Sequence, residues 1–430
     1  MNVINKYLSQ LWRFVKNGFM QMLSANVLNK IVAMLSNMVI TRVLTVADYG
    51  SWSYILNVYT YFSLVAGFGL TSGAFQFGAE NRGGEKEFQY YAYCLKRGLL
   101  LNVGLVVFGI GFAYFVKLPL ENIKLLLISY FPMLLLEYIM NLFVIILRCQ
   151  NRIKEYARVL NTNTVLIALG TCAGSFWGIS GVIAGKYIAY IASVALLMRL
   201  MKDETLRLFS QNMLEGNEIR KLWNFSIISC ISSAMNSLLY LLDVSMITAL
   251  LGSAEDTAIY KVATLAPNAL AFIPSSIIVC ILPNIVHNNK NRGWLKSHVR
   301  TYYLGMGAAN LAIAGTAIAM APLIIRILSG EQYLPAVPYF RILLIGYFIS
   351  STFRSLSGNI LFALKKVKIN MITSVISGCL DIVLNYYFIT GFGVAGAAVA
   401  TVTAETIASA IAFSYTYYYI YLRKGELSGD

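Results

Sequence analysis

Eight charged side chains interrupt the long apolar segments of this 430-residue chain. An ionisable group inside the hydrocarbon core of a membrane costs at least ~2.5–3.5 kcal/mol on insertion scales, so each such residue is a candidate for binding or ion coupling. Buried cations suit an anionic ligand, and buried acids suit a proton or another cation. The eight are the cations Lys30, Lys186, Lys261 and Arg354 and the acids Glu137, Asp243, Asp381 and Glu405.

Lys30 and Asp243 are separated by 213 residues, about half the chain, and each lies in the middle of an apolar segment. Polar residues share helical spacing with both of them: Asn26 and Asn37 with Lys30, and Asn236 with Asp243. Because a polar stripe that faces lipid is costly, we expect these residues to line a cleft and to contact a substrate. A static ion pair between helices is the alternative.

The remaining buried charges allow two interpretations. Arg354 stands among serines and follows Glu137 by close to half the chain, so these two residues occupy similar places in the two halves. Arg354 is a candidate for binding substrate. For Glu137, Asp381 and Glu405, coupling to a proton or a sodium ion competes with simple structural pairing.

The chain that positions these residues is 58% hydrophobic and only 12% charged, with a mean hydropathy of +0.66. Soluble domains have roughly twice that charged fraction, which excludes a water-soluble enzyme. A spanning helix needs about 20 apolar residues. The sequence therefore predicts twelve spans, at roughly 18–43, 51–73, 98–117, 123–147, 158–177, 181–201, 223–250, 258–282, 301–325, 338–363, 371–390 and 394–420. Lys186 and Lys261 lie near the external ends of their spans and serve equally well as interfacial anchors.

Several features recur half a chain apart. Tyr49 and Tyr260, which follow the first and seventh spans, are 211 residues apart, and the Gly-x-x-Gly sequences that begin at Gly178 and Gly393 are 215 apart. We therefore expect an all-α polytopic membrane protein whose twelve helices form two pseudo-symmetric six-helix halves around a central cleft. The predicted parts are an amphipathic N-terminal segment (1–17), the two halves (18–201 and 223–420), a cytoplasmic linker (202–222) and a cytoplasmic tail (421–430).

The net charge of +15 marks the orientation of the chain in the membrane. On the predicted topology, segments on the side of the termini hold 25 of the 34 Lys and Arg residues, and the opposite loops hold five. Basic loops stay in the cytoplasm, so we expect both termini there. This orientation accounts for the net positive charge, so the charge is no evidence that the protein binds nucleic acid. The six cysteines show no C-x-x-C spacing, which argues against a disulfide framework or a structural metal, and no cofactor is expected.

Residues 29 to 80 resemble the beginning of the Wzx-type polysaccharide flippases of the MOP superfamily. The resemblance rests on Arg42-Val43-Leu44, Asp48-Tyr49-Gly50, Gly67-Phe68-Gly69-Leu70 and the loop Glu80-Asn81-Arg82-Gly83. It implies transport by alternating access of an undecaprenyl-diphosphate-linked oligosaccharide, of O-antigen, capsule or exopolysaccharide type, to the outer leaflet of the bacterial inner membrane. Membrane lipids, a polysaccharide polymerase and a chain-length regulator are the implied partners. Lys30 and Arg354 would bind the phosphates.

Three other functions are compatible with parts of the sequence. A cation-coupled multidrug exporter of the MATE class would favour acids in its cleft, and four intramembrane cations argue against it. A lipid II flippase of the MurJ type usually has fourteen spans. A membrane glycosyltransferase or polymerase needs a sizeable external loop with catalytic side chains, whereas the predicted external loops are short. We therefore expect a transporter and not an enzyme.

Overall fold

The computed structural model describes residues 19–120, 123–210, 214–288, 291–364 and 366–423. The predicted N-terminal segment and almost all of the C-terminal tail lie outside these residues, as do the side chains of Asn26 and Asn236. The described residues form helices and turns and contain no β-strand, which confirms the prediction of an all-α protein.

The chain divides into two compact units after Leu238, within one long helix, Gly216–Leu251. The described residues of the N-terminal unit before Gly216 contain nine helices and one 3₁₀ turn. The helices are Phe19–Val43, Val46–Leu64, Leu70–Glu80, Glu85–Phe115, Lys124–Tyr130, Met133–Cys149, Ile153–Ser175, Gly178–Leu200 and Lys202–Ser210, and the turn is Ala66–Gly69.

The C-terminal unit begins with the end of helix Gly216–Leu251. Its other helices are Ala254–Leu270, Phe272–His287, Arg292–Ala319, Ala321–Leu328, Val337–Ile349, Ser355–Ala363 and Val367–Tyr417. A 3₁₀ turn, Glu331–Ala336, and two π-helical turns, Ser350–Arg354 and Tyr418–Leu422, complete it.

Seven helical segments of the described chain are long and apolar enough to cross a membrane, or eight if the bent pair Arg292–Ala319 and Ala321–Leu328 forms one span. The chain is therefore a multi-pass membrane protein. One of the seven, Lys368–Leu422, has 55 residues, far more than the roughly 20 that span a bilayer. It is broken at Gly393 (φ 59°, ψ −138°), between the predicted eleventh and twelfth spans.

Two glycine pairs have the same geometry in the two units. Gly178 and Gly393 both have positive φ, 73° and 59°, a region that glycine enters without steric cost. Three residues later, a Cβ on Gly181 would lie 2.1 Å from the Gly174 carbonyl oxygen, and one on Gly396 would lie 1.9 Å from that of Phe388. The two Gly-x-x-Gly sequences thus provide the same break and the same close backbone contact.

The helices that contain Tyr49 and Tyr260 also begin with the same kind of side-chain cap. The Thr45 hydroxyl accepts a hydrogen bond from the amide of Asp48, and the Ser253 hydroxyl accepts one from the amide of Asp256, both at 3.1 Å. Such side-chain caps satisfy amides that have no partner within the helix. Tyr49 and Tyr260 therefore lie in helices that begin with the same kind of cap, as their half-chain spacing predicts.

Candidate functional site

The C-terminal unit contains a buried polar cluster around Asp243, whose side chain is on helix Gly216–Leu251 and only 9% exposed. The Tyr260 hydroxyl donates to Asp243 Oδ2 at 2.6 Å, and the Thr401 hydroxyl donates to the same oxygen at 2.9 Å. The Asn385 amide donates to Asp243 Oδ1 at 2.9 Å. Side chains from both sides of the break at Gly393 thus hold the carboxylate, as a buried charge requires, and Lys261 is close enough to interact with it.

A second acid, Asp381, lies one helical turn before Asn385 and is as deeply buried as Asp243. The two carboxyl groups are close enough to interact. Within the described chain, Asp381 Oδ1 and Asn385 Oδ1 are buried oxygens with no hydrogen-bond partner. Two adjacent acids repel each other in a low-dielectric interior, so the Asp243 cluster (Asp243, Tyr260, Asp381, Asn385 and Thr401) is a candidate site for a proton or another cation.

Arg354 and Glu405 form an ion pair in the same unit. Arg354 Nη1 donates to Glu405 Oε1 at 2.5 Å, and each side chain is 21% exposed. Arg354 ends the π-helical turn Ser350–Arg354, and such turns inside α-helices occur frequently at functional sites. The structure thus joins a predicted substrate-binding residue to a predicted coupling residue.

The N-terminal unit contains a corresponding ion pair. Lys186 Nζ lies 3.4 Å from Glu137 Oε1 and donates to the Tyr130 hydroxyl. It also lies 5.0–5.9 Å from the ring centroids of Tyr59, Tyr130 and Tyr190, within the range of cation–π attraction. These contacts favour an internal role for Lys186 over that of an interfacial anchor.

The two ion pairs occupy similar places in the sequence with opposite polarity. Arg354 follows Glu137, and Glu405 follows Lys186, by nearly the same half-chain spacing that relates the Gly-x-x-Gly sequences. In the N-terminal unit the acid belongs to the predicted fourth span and the cation to the sixth. In the C-terminal unit the cation belongs to the tenth and the acid to the twelfth. The two units thus have charges of opposite sign at equivalent positions in the sequence.

Lys30 and Asn37, the other predicted substrate-binding residues with described side chains, belong to helix Phe19–Val43. Lys30 is exposed, and Asn37 Oδ1 accepts a hydrogen bond of 3.2 Å from the Tyr49 hydroxyl. Tyr49 therefore contacts the first span as Tyr260 contacts the seventh. That Lys30 lines a cleft and contacts a substrate stays a prediction.

A polar cluster outside the predicted spans connects the linker helix Lys202–Ser210 to the loop before helix Ile153–Ser175. Arg152 forms ion pairs with Glu155 and, at 2.5 Å, with Glu204. The hydrogen bonds from Arg152 hold the pKa of Glu155 below its usual value. Nearby, the hydrogen bond from the Tyr90 hydroxyl, at 2.6 Å, lowers the pKa of Glu218.

No group of three or more His, Cys, Asp and Glu side chains in the described residues is arranged to hold a metal ion. The Asp243 cluster combines two acids with hydroxyl and amide oxygens, a donor set for a proton or a hard monovalent cation. The sequence did not predict that Tyr260 and Thr401 donate hydrogen bonds to Asp243. The half-chain spacing between Tyr49 and Tyr260 was the available signal for Tyr260.

Comparison with known proteins supports this description of the fold. The family model of polysaccharide biosynthesis proteins matches residues 14–288. The structure is similar to that of the lipid II flippase MurJ in an inward closed conformation, with a TM-score of 0.72 and 14% identity over 94% of this chain and 87% of that one. No curated protein sequence matches the chain.

Two other solved structures are similar. One is an inward-facing multidrug resistance MATE family transporter of the MOP superfamily, with a TM-score of 0.66 and 13% identity over 91% of this chain and 94% of that one. The other is a MOP superfamily transporter from Pyrococcus furiosus with a binding pocket of reverse polarity, with a TM-score of 0.55 and 14% identity over 94% and 93%. The chain thus has the fold of MOP superfamily transporters.

Proposed function

Because this chain belongs to the polysaccharide biosynthesis protein family, we propose that it is a flippase for undecaprenyl-diphosphate-linked oligosaccharides. It moves these O-antigen, capsule or exopolysaccharide units from the inner to the outer leaflet of the bacterial cytoplasmic membrane, by alternating access of two six-span halves. Both termini are cytoplasmic. Membrane lipids, a polymerase and a chain-length regulator are its partners.

The observation that carries this proposal is the Arg354–Glu405 ion pair inside an apolar helical unit. A guanidinium forms two parallel hydrogen bonds with phosphate oxygens, which makes Arg354 a specific receptor for a diphosphate. Its only partial exposure reduces competition from water and salt. Lys30, Asn37 and the side chains of Asn26 and Asn236 are further candidates for contact with the sugar phosphate.

The Asp243 cluster supplies a site for the coupling ion. Asp243 and Asp381 provide the negative charge, and the unpartnered oxygens of Asp381 and Asn385 provide acceptors for a proton or a sodium ion. Their burial favours a small ion over direct contact with a large sugar. We therefore assign Asp243 to coupling with Asp381, although its position in the sequence first indicated substrate binding. The reverse-polarity pair in the N-terminal unit, Glu137 with Lys186, is the second coupling candidate.

The proposal is tested by complementation in cells that lack this gene. Arg354→Ala should lower the amount of oligosaccharide delivered to the outer leaflet at least about tenfold, since a charge-assisted pair with phosphate is lost. Arg354→Lys keeps the charge without the two-point geometry and should retain part of the transport. Arg341→Ala removes an exposed arginine of the same unit and serves as the control.

Delivery is measured as the fraction of lipid-linked oligosaccharide that an external glycosidase can reach in spheroplasts, with membrane insertion checked by immunoblot. Full delivery by an inserted Arg354→Ala protein would refute the assignment of Arg354. Normal delivery in cells without the gene would refute the function.

A cation-coupled multidrug exporter is the second candidate, and the two neighbouring acids of the Asp243 cluster favour it. Such a protein would lower the cellular accumulation of a cationic dye, and Asp243→Asn would abolish that export. The flippase proposal predicts the same dye accumulation with and without the gene.

A further inference from the structure

Glu405 lies between the Arg354 guanidinium and the Asp243 cluster. Asn385 and Thr401, on the two sides of the break at Gly393, both donate to Asp243. Asp381 is one helical turn from Asn385, and Glu405 is one turn from Thr401. The two acids at these positions interact electrostatically. Glu405 is therefore next to an acid on one side and pairs with a cation on the other.

The ion pair between Glu405 and Arg354 engages one of the two oxygens of the Glu405 carboxylate. Oε1 accepts from Arg354, while Oε2 is buried and has no hydrogen-bond partner within the described residues. A diphosphate, with more charge and several oxygens, can form two hydrogen bonds with the guanidinium where Glu405 forms one. It is therefore a stronger ligand for Arg354 than the acid that now pairs with it.

Displacement of Glu405 from Arg354 leaves the negative charge of its carboxylate without a cation, and binding of a proton would neutralise that charge. A partly buried carboxylate without its cation is costly, and the neighbouring Asp381 makes a second negative charge there less favourable still. Among the described residues, Glu405 interacts with Arg354 on the π-helical turn and with Asp381 on helix Val367–Tyr417. Asp381 in turn interacts with Asp243, which accepts from Tyr260 and interacts with Lys261.

We propose that a diphosphate displaces Glu405 from Arg354 and that the displaced carboxylate then takes up one proton from solvent. One O–H bond forms on the Glu405 carboxyl group, and no other covalent bond changes. The inference rests on the proposed function, because an anionic head group must reach Arg354. Diphosphate binding and proton uptake are then linked at one residue, and each strengthens the other by the same factor.

The linkage has a definite direction with pH. Because the bound state holds one more proton on the protein than the free state, falling pH strengthens binding, by up to about tenfold per pH unit. Glu405→Gln replaces the acid with a neutral side chain of the same shape. It should therefore bind without proton uptake and, at pH 8, on the order of tenfold more tightly than the wild type, since no charged pair has to be broken.

The experiment is calorimetric titration of the purified full-length protein in detergent with farnesyl diphosphate as the probe. Titration at pH 8 in two buffers of different ionisation heat gives the number of protons taken up on binding. The wild type should take up about one, and Glu405→Gln about none. Glu331→Gln removes an exposed ion pair with Arg326 in the same unit and should behave as the wild type does.

The outcomes separate this inference from the function on which it rests. Absence of farnesyl diphosphate binding by the wild type would overturn both. Binding by the wild type without proton uptake would overturn the inference alone, as would equal proton uptake or weaker binding in Glu405→Gln. If Glu405→Gln does not fold, the number of protons that the wild type takes up on binding at pH 8, where the probe itself is ionised, still tests the inference.

Discussion

We expect the hydroxyl of Tyr260 to weaken the attraction of the Asp243 carboxylate for a cation. The tyrosine is 1% exposed, and its hydroxyl donates to Asp243 Oδ2 over 2.6 Å. Hydrogen bonds to the charged form of an acid stabilise that form relative to the protonated or cation-bound one. Tyr260→Phe removes this donor with little change in shape, so the variant should bind a proton or a sodium ion more tightly than the wild type.

The size of the effect follows from the contacts that remain. A hydrogen bond to a charged group contributes about 1.5–3 kcal/mol, which corresponds to a roughly 10- to 150-fold change in cation affinity. Thr401 still donates to the same oxygen at 2.9 Å and Asn385 still donates to the other, so we expect the lower end, about tenfold. A tenfold change moves a proton titration by about one pH unit.

The assay is the thermal unfolding temperature of the detergent-solubilised protein. One series varies sodium against choline at constant pH and ionic strength, and the other varies pH at constant salt. A bound ion stabilises the folded state by RT ln(1 + [L]/Kd), so the midpoint of each series reports affinity. The series that responds in the wild type identifies the coupling ion.

Tyr303→Phe is the matched control, because its hydroxyl hydrogen-bonds Ser357 at 2.7 Å elsewhere in the same unit. In Tyr260→Phe the responding midpoint should move to lower sodium or to higher pH, and in Tyr303→Phe it should not move. A shift in the opposite direction would mean that the Tyr260 oxygen itself is a ligand of the ion, and it would refute the reasoning. Equal shifts in both variants would do the same.

Three further predictions test the packing and the ion pairs. Gly181→Ala places a methyl 2.1 Å from a backbone oxygen and should lower the unfolding temperature, whereas Gly111→Ala, with open space around it, should raise stability by about 0.5–1 kcal/mol. Glu137→Gln and Lys186→Met each leave a partly buried charge without its partner, so each should destabilise more than the double variant in a thermal cycle. Arg152→Gln should make the linker easier to cleave by protease at pH 7 and cost at most about 1 kcal/mol. Because the folded-state pKa of Glu155 is lowered, this contribution is present at neutral pH and disappears as the pH falls through that pKa, so the two proteins should become equal in acid.

Local patterns in the sequence predicted the features that depend on neighbouring residues. The apolar segments predicted a helical membrane protein. The spacing of the Gly-x-x-Gly sequences predicted that Gly178 and Gly393 occupy equivalent places, and both have positive φ. The ion pairs were not predicted, because the partners in each pair, Glu137 with Lys186 and Arg354 with Glu405, belong to different helices far apart in the sequence. Spacing along one helix contains no information about such contacts. The half-chain spacing that relates Lys186 to Glu405 was the signal that could have found them.

On the proposed function, the opposite polarity of the two ion pairs would allow a repeated fold to bind an asymmetric cargo. If both units held the same charges, both would attract the same part of a lipid-linked sugar. The C-terminal unit instead joins its cation, Arg354, to an acid that borders the Asp243 cluster, whereas Lys186 in the N-terminal unit is surrounded by tyrosine rings. Of these two ion pairs of the described residues, the C-terminal one therefore combines the proposed anion receptor with the proposed cation site. On the proposed function, coupling between substrate and ion requires that combination, so the C-terminal unit is the first candidate for coupling and the Glu137–Lys186 pair the second.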